Sequence, residues 1–162
     1  MRQLFLGFLC IVAILSGQSV IHALPSEQIN SDDIQTFLQQ ANESQIRLHD
    51  EYRSKKEIES LLAPYFTNDY TKQFMEYHTF EFEEGWIALG TDMMALYVPN
   101  FNFEENTMVK QTEDQILIYH FVPARSDGPT TWLDHYEGLI IKKLEDGLRI
   151  AEYVISEDEP QI

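Results

Sequence analysis

Phe80–Leu89 reads FEFEEGWIAL, and here the chain changes character. Phe80-Glu81-Phe82-Glu83 alternates apolar and acidic residues, the period of a half-buried strand. Gly85 interrupts the run and Trp86-Ile87-Ala88-Leu89 resumes it. After this stretch come short segments rich in β-branched and aromatic residues, bounded by Gly, Pro, Asn and Asp, which read as strands. They are Met93–Pro99 (MMALYVP), Thr107–Gln111 (TMVKQ), Gln115–Val122 (QILIYHFV), Thr131–Leu144 and Leu148–Ile155 (LRIAEYVI). Asp146-Gly147 is a two-residue hairpin signal between the last two.

Before Phe80 the apolar residues follow a helical period. Ile34, Phe37, Leu38, Ala41 and Leu48 form one stripe, with Asn30 or Ser31 as its cap and Asp32 and Asp33 in the first turn. Ser54 followed by Glu57 is the signature of a capping box, and Ile58, Leu61 and Leu62 continue as a short stripe that Pro64 ends. Thr67 suits the cap of a third helix carrying Tyr70, Phe74, Met75 and Tyr77. Helices first and strands after predict an α+β domain, with N-terminal helices packed on a curved, mainly antiparallel sheet.

The N-terminus is organised differently. Arg2 is followed by the apolar run Leu4–Leu15 and a small, polar stretch ending at Ala23. That is the layout of a secretory signal, and the run is shorter than the ~20 residues of a membrane span. Residues 1–23 therefore read as a signal peptide cut after Ala23, and the protein is expected to be secreted, with no stable membrane insertion after cleavage. Residues 24–31 read as a flexible lead, 32–156 as one α+β domain and 157–162 as a flexible acidic tail. The single cysteine, Cys10, lies inside the apolar run. The mature chain then has no disulfide, no thiolate metal site and no thiol nucleophile.

The formal net charge is −16, and all 27 acidic residues lie after residue 23. A phosphate backbone needs a basic footprint, so nucleic acid is excluded as a partner. Acidity of this kind first of all keeps an exported domain soluble.

Three segments carry a family resemblance: EYRSKKEIESLLAPYFTNDY, GTDMMALYVPNF and WLDHYEGLIIKK. They resemble a family of small exported Gram-positive proteins known as a domain of unknown function. The order of elements is similar to NTF2-like and cystatin-like folds. The resemblance implies export and a small α+β domain, and brings no catalytic residues with it.

The site candidates centre on Trp132–Gly138, WLDHYEG. With Asp146-Gly147 as the turn, alternation places Trp132, Asp134, Tyr136, Ile140 and Leu144 on one face with Ala151, Tyr153 and Ile155. Leu133, His135, Glu137, Leu139 and Ile141 fall on the other with Leu148, Ile150 and Glu152. The first face is the more aromatic and is assigned to the helices. A one-residue slip would exchange the two. Asp134 beside Trp132 and Tyr136 either sits at the rim or needs a buried partner such as His120 or a tyrosine. His135 and Glu137 are placed as a cross-strand polar pair. Asp92 in a turn and His78 at a helix end have structural explanations, and Asn102, Glu104 and Glu105 in FNFEEN form a small oxygen-ligand cluster without the spacing of a calcium loop. HExxH, GxSxG, SxxK, phosphate-loop and calcium-loop patterns are absent. No cofactor and no metal are expected.

Two functions fit these features. The preferred one is a non-catalytic exported domain that binds a small ligand or an envelope protein, through Trp132, His135 and Glu137 or an exposed aromatic patch of Tyr97, Phe101 and Phe103. The alternative is a cofactor-independent pocket enzyme with Asp134, His120 and Tyr136 lining a cavity as acid/base groups.

Overall fold

The computed structural model describes residues 28–90, 95–128 and 130–162. The signal peptide and the cut after Ala23 that the sequence predicts, together with Cys10 and Asp92, lie outside the described residues. Helix α1 spans Ser31–Ile46 and runs into a 3-10 turn, Arg47–His49. Asn30 caps it, its side chain accepting from Asp33 N at 2.8 Å. Helix α2 is Lys55–Leu62, started by the full Ser54/Glu57 capping box. Helix α3 is Asn68–His78, with the Thr67 hydroxyl accepting from Tyr70 N at 3.3 Å. All three starts are legible because a cap is a local device: one side chain satisfies an orphan N–H two or three residues on.

FEFEEGWIAL forms the antiparallel hairpin of β1 (Thr79–Phe82) and β2 (Gly85–Ala88). The second sheet is an antiparallel meander of β3 (Met108–Gln111), β4 (Gln115–Val122), β5 (His135–Leu144) and β6 (Gly147–Ser156), in that spatial order. The architecture is α+β, as the order of patterns predicts. Ile34, Leu38 and Ala41 of α1, Ile58 and Leu62 of α2, and Tyr70 and Phe74 of α3 pack into one core. Ile116, Ile118, Leu139, Ile141 and Ile150 of the sheet meet them there.

β4 is buried on both faces, which explains its unbroken apolar run. Ile116 and Ile118 face the helices, while Leu117 and Tyr119, each 1% exposed, point the other way. The C-terminal segment reaches that second side. Lys110 Nζ donates to Glu159 Oε1 at 2.9 Å, the Pro160 carbonyl at 3.1 Å and Gln161 Oε1 at 3.0 Å. The Tyr119 hydroxyl also donates to the Glu159 carboxylate. The tail expected to be loose is thus anchored at Lys110. Ile29, in the expected flexible lead, exchanges hydrogen bonds with the Gln111 carboxamide.

Several expectations need correction. Ala95–Pro99, the described part of MMALYVP, forms no strand. β5 begins at His135, and Trp132 only bridges to Arg125 across a loop. The face assignment is reversed. Leu139 and Ile141 face the helices, and Ile140 lies on the far side. The turn is Glu145-Asp146, one residue earlier than expected, with Leu144 opposite Gly147 and Gly147 at φ +125°. A bulge between Ile140 and Ile141 then shifts the register, so Leu139 faces Tyr153 and Glu137 faces Ile155. Tyr153 stays on the helix side, against the core, because the bulge offsets the reversal of the faces for the residues of β6 beyond it.

Candidate functional site

WLDHYEG is taken apart by the fold. Asp134 is exposed at the sheet rim, where Oδ1 accepts from Ala124 N at 2.6 Å. Trp132 donates Nε1–H to the Pro123 carbonyl at 3.0 Å, and the Arg125 guanidinium lies 5.4 Å from its ring centroid. His135 Nδ1 meets the Leu133 carbonyl at 2.8 Å. Tyr136 is on the far face, edge-on to Tyr119 and Phe121. These four residues organise the loop before β5 and the outer surface of the sheet. Asp134 lies at the rim and His120 and Tyr136 point to opposite faces of the sheet, so the three do not converge, and His135 does not pair with Glu137.

Glu137 goes elsewhere. Residues opposite each other in an antiparallel pair point to the same face, and β4 sets His120 against Glu137. His120 Nε2 lies 3.3 Å from Glu137 Oε2. The Tyr153 hydroxyl donates to Glu137 Oε1 from β6. Burial pushes the Tyr153 phenol well above its ordinary value, and the carboxylate beside it pushes the same way. The phenol therefore stays protonated and donates. Three adjacent strands hold one carboxylate at two oxygens. Phe101 packs against the His120 ring, 5.2 Å between centroids.

The carboxylate opens onto a cleft of about 500 Å3. Its other walls come from the end of α1 (Asn42 and Ile46), His49 of the 3-10 turn, Gly90 and Tyr97–Asn100. The Tyr97 hydroxyl hydrogen-bonds His49 Nε2 at 3.0 Å, with the two rings stacked at 5.9 Å. Behind Tyr97 lies His78, edge-on at 4.8 Å and 3% exposed. His78 Nε2 meets the Ala95 carbonyl at 2.6 Å, so Nε2 carries the proton, and no described residue pairs with Nδ1. Burial holds the His78 pKa below its ordinary value, and His49 nearby adds to the effect. His78 is a neutral imidazole behind the cleft wall.

The segment forming that wall is held by side chains. Gln45, fully buried on α1, donates Nε2–H to the Leu96 carbonyl at 2.7 Å and accepts from Val98 N at 3.0 Å. The Tyr70 hydroxyl also donates to the Leu96 carbonyl, at 2.9 Å. Leu96 sits at φ +68°, a conformation that costs a bulky side chain roughly 1 kcal/mol. Among non-glycine residues described, it alone does so. The strain is held by the bonds on either side of it.

Of the residues singled out in the sequence, the structure brings Glu137, His120, Tyr97 and Phe101 to this region. Phe101 and Phe103 are partly buried against the core and Tyr97 is 5% exposed, so the expected exposed aromatic patch does not form. Asn102 turns its own loop, its Oδ1 accepting from Glu104 N at 3.2 Å. Among the described residues no three His, Cys, Asp or Glu side chains are grouped to hold a metal ion. Gln45 and His49 carry structural weight that the sequence reading did not assign, and His78, read there as a cation at a helix end, is instead a buried neutral ring. Gln45 had a signal: it falls on the apolar stripe of α1, four residues after Ala41, where a polar side chain must find a partner.

A family model described as Protein of unknown function (DUF3993) matches residues 30–122. The chain belongs to that family. No curated protein and no solved structure matches it. The matched span runs from the cap of α1 to the end of β4, so it includes Gln45, His49, His78, Tyr97 and His120. Glu137 and Tyr153, on β5 and β6, lie beyond it. No helix of the described residues is long and apolar enough to cross a membrane.

Proposed function

We propose that this member of the family is an exported binding domain, and that it takes a small ligand in the cleft at Glu137. The reading of residues 1–23 as a secretory signal supports export. One observation carries the binding reading. A carboxylate fixed by Tyr153 and His120 faces a concave, largely apolar space walled by His49, Tyr97 and Val98. A few convergent polar groups in an apolar cleft are the ordinary composition of a small-molecule site. The pre-set carboxylate lowers the ordering cost of binding. The enzyme built on Asp134, His120 and Tyr136 is not carried forward, since Asp134 lies at the rim and Tyr136 on the far face.

Thermal unfolding of the domain from residue 24, against a panel of small molecules of differing charge and polarity, tests the reading. A ligand at 100 times its Kd adds about 2.7 kcal/mol to stability. A shift lost in Glu137→Gln and in His49→Ala places the ligand in this cleft. A shift kept by both variants moves the site elsewhere.

A further inference from the structure

Among the described residues lining the cleft, the Glu137 carboxylate meets no lysine or arginine. The lining is Asn42, Ile46, His49, Gly90, Tyr97, Val98, Pro99, Asn100 and Glu137. The two groups that hold the carboxylate do so without a fixed positive charge. Tyr153 donates as a neutral phenol, and His120 contributes one ring nitrogen at 3.3 Å. Each carboxylate oxygen is engaged by one described partner and can accept again, because an ionised carboxylate offers about four acceptor positions. The cations nearest in sequence, Lys142 and Lys143, lie at the other end of β5, and Lys143 Nζ is bound to the Thr112 carbonyl at 2.9 Å.

Filling such a cleft strips water from the Glu137 carboxylate. Unpaired, that desolvation opposes binding, so a neutral or anionic occupant works against the charge. An ammonium group turns the same desolvation into a gain, since the attraction strengthens as water leaves. The excess of acidic residues over the whole chain favours cations at longer range. Ile46, Val98, Pro99 and the Tyr97 ring give the wall its apolar surface, with Asn42, His49 and Asn100 as its other polar groups. We infer that the occupant is a small organic amine, its ammonium N–H groups donating to Glu137 and its apolar body lying against Tyr97 and Ile46. This rests on the cleft reading above and names the ligand class.

The test is calorimetric titration of the domain at pH 8, where free imidazole is uncharged, with four probes. n-Hexylamine carries the ammonium and the apolar body. n-Hexanol keeps the body without charge, hexanoate reverses the charge, and tetramethylammonium keeps the charge without an N–H donor. The expected result is that n-hexylamine binds at least tenfold more tightly than each of the others, and that Glu137→Gln weakens it at least tenfold. Asn42→Lys, which places a cation in the half-exposed wall of the cleft without touching the core, is expected to weaken it similarly. It serves as the second variant if Glu137→Gln fails to fold. Equal binding of n-hexanol and n-hexylamine, both weakened by His49→Ala, would keep the cleft as a site and overturn the amine. Tighter binding of hexanoate would overturn it too. Binding of n-hexylamine that ignores Glu137→Gln and Asn42→Lys would overturn both the amine assignment and the cleft.

Discussion

β4 and the segment Ala95–Val98 are both apolar, both packed against the core, and they satisfy their backbones by different means. β4 lies between β3 and β5, and its N–H and C=O groups are taken by those strands. Ala95–Val98 has no strand beside it. Its carbonyls and the Val98 N–H are taken by Gln45, Tyr70 and His78, three side chains from two helices. A ladder spreads its strength over many equivalent bonds. A clamp concentrates it in a few buried groups, and it can hold the chain in a shape no ladder allows, such as Leu96 at φ +68°. The clamp is what presents Tyr97 to the cleft.

The largest effect is expected at the clamp. Gln45→Ala removes both of its bonds and leaves the Leu96 carbonyl with Tyr70 alone and the Val98 N–H with no described partner. Each buried group left short costs about 1–3 kcal/mol, and the lost side-chain volume adds to this, so a loss of about 4 kcal/mol is expected in urea unfolding. Hydrogen exchange sharpens the contrast: Val98 should lose protection while Ile118 in β4 keeps its rank among the slowest amides. A loss under 1 kcal/mol would mean the segment is held by packing.

Next comes the ladder. At Gly138 an added Cβ would lie 2.4 Å from the Ile118 carbonyl oxygen and 2.8 Å from Tyr119 Cβ. No rotamer relieves a clash at Cβ, so Gly138→Ala is expected to cost about 3 kcal/mol, read as a lower midpoint in the same titration. A neutral result would show that β4 and β5 separate more freely than their packing suggests.

Tyr70→Phe should cost less, about 1 kcal/mol, because Gln45 still serves the Leu96 carbonyl. Combined with Gln45→Ala, the loss should exceed the sum of the two, since the last donor then disappears; simple additivity would deny the shared acceptor.

The smallest effect is pH-dependent. The folded-state pKa of His78 is lowered, so the unfolded chain binds that proton more tightly. Stability from this group is complete above the unfolded value of about 6.5 and declines as pH falls through it toward the folded value. A drop of a few degrees in Tm between pH 7.5 and pH 5 should be partly removed by His78→Gln. An unchanged slope in that variant would assign the acid sensitivity to other groups.

The same contrast explains what was readable in advance. The three helix starts and the β1–β2 hairpin depend on residues two to four apart, and each was visible. β4 was visible because its burial on both faces leaves an apolar run. The clamp was not, since Gln45 lies 51 residues from Leu96 and any buried glutamine looks alike until its partner is placed. The site failed for a related reason. His120 and Glu137 were both singled out, but each was given the wrong companion, because the β4–β5 register that sets them opposite each other joins residues 17 apart across a loop that no local signal fixes.

What the sequence by itself determined is therefore the class of fold and the starts of its helices, through caps and hydrophobic periods that act over a turn or two. Which face of β5 meets the helices was decided only in three dimensions. A strand's side chains alternate, so the choice of face is all or none, and a one-residue bulge reverses every assignment beyond it on the bulged strand. Here burial of Leu139 and Ile141 puts Glu137 on the helix side, opposite His120, and the bulge in β6 brings Tyr153 to the same face, while Asp134 is left to hold a loop at the rim.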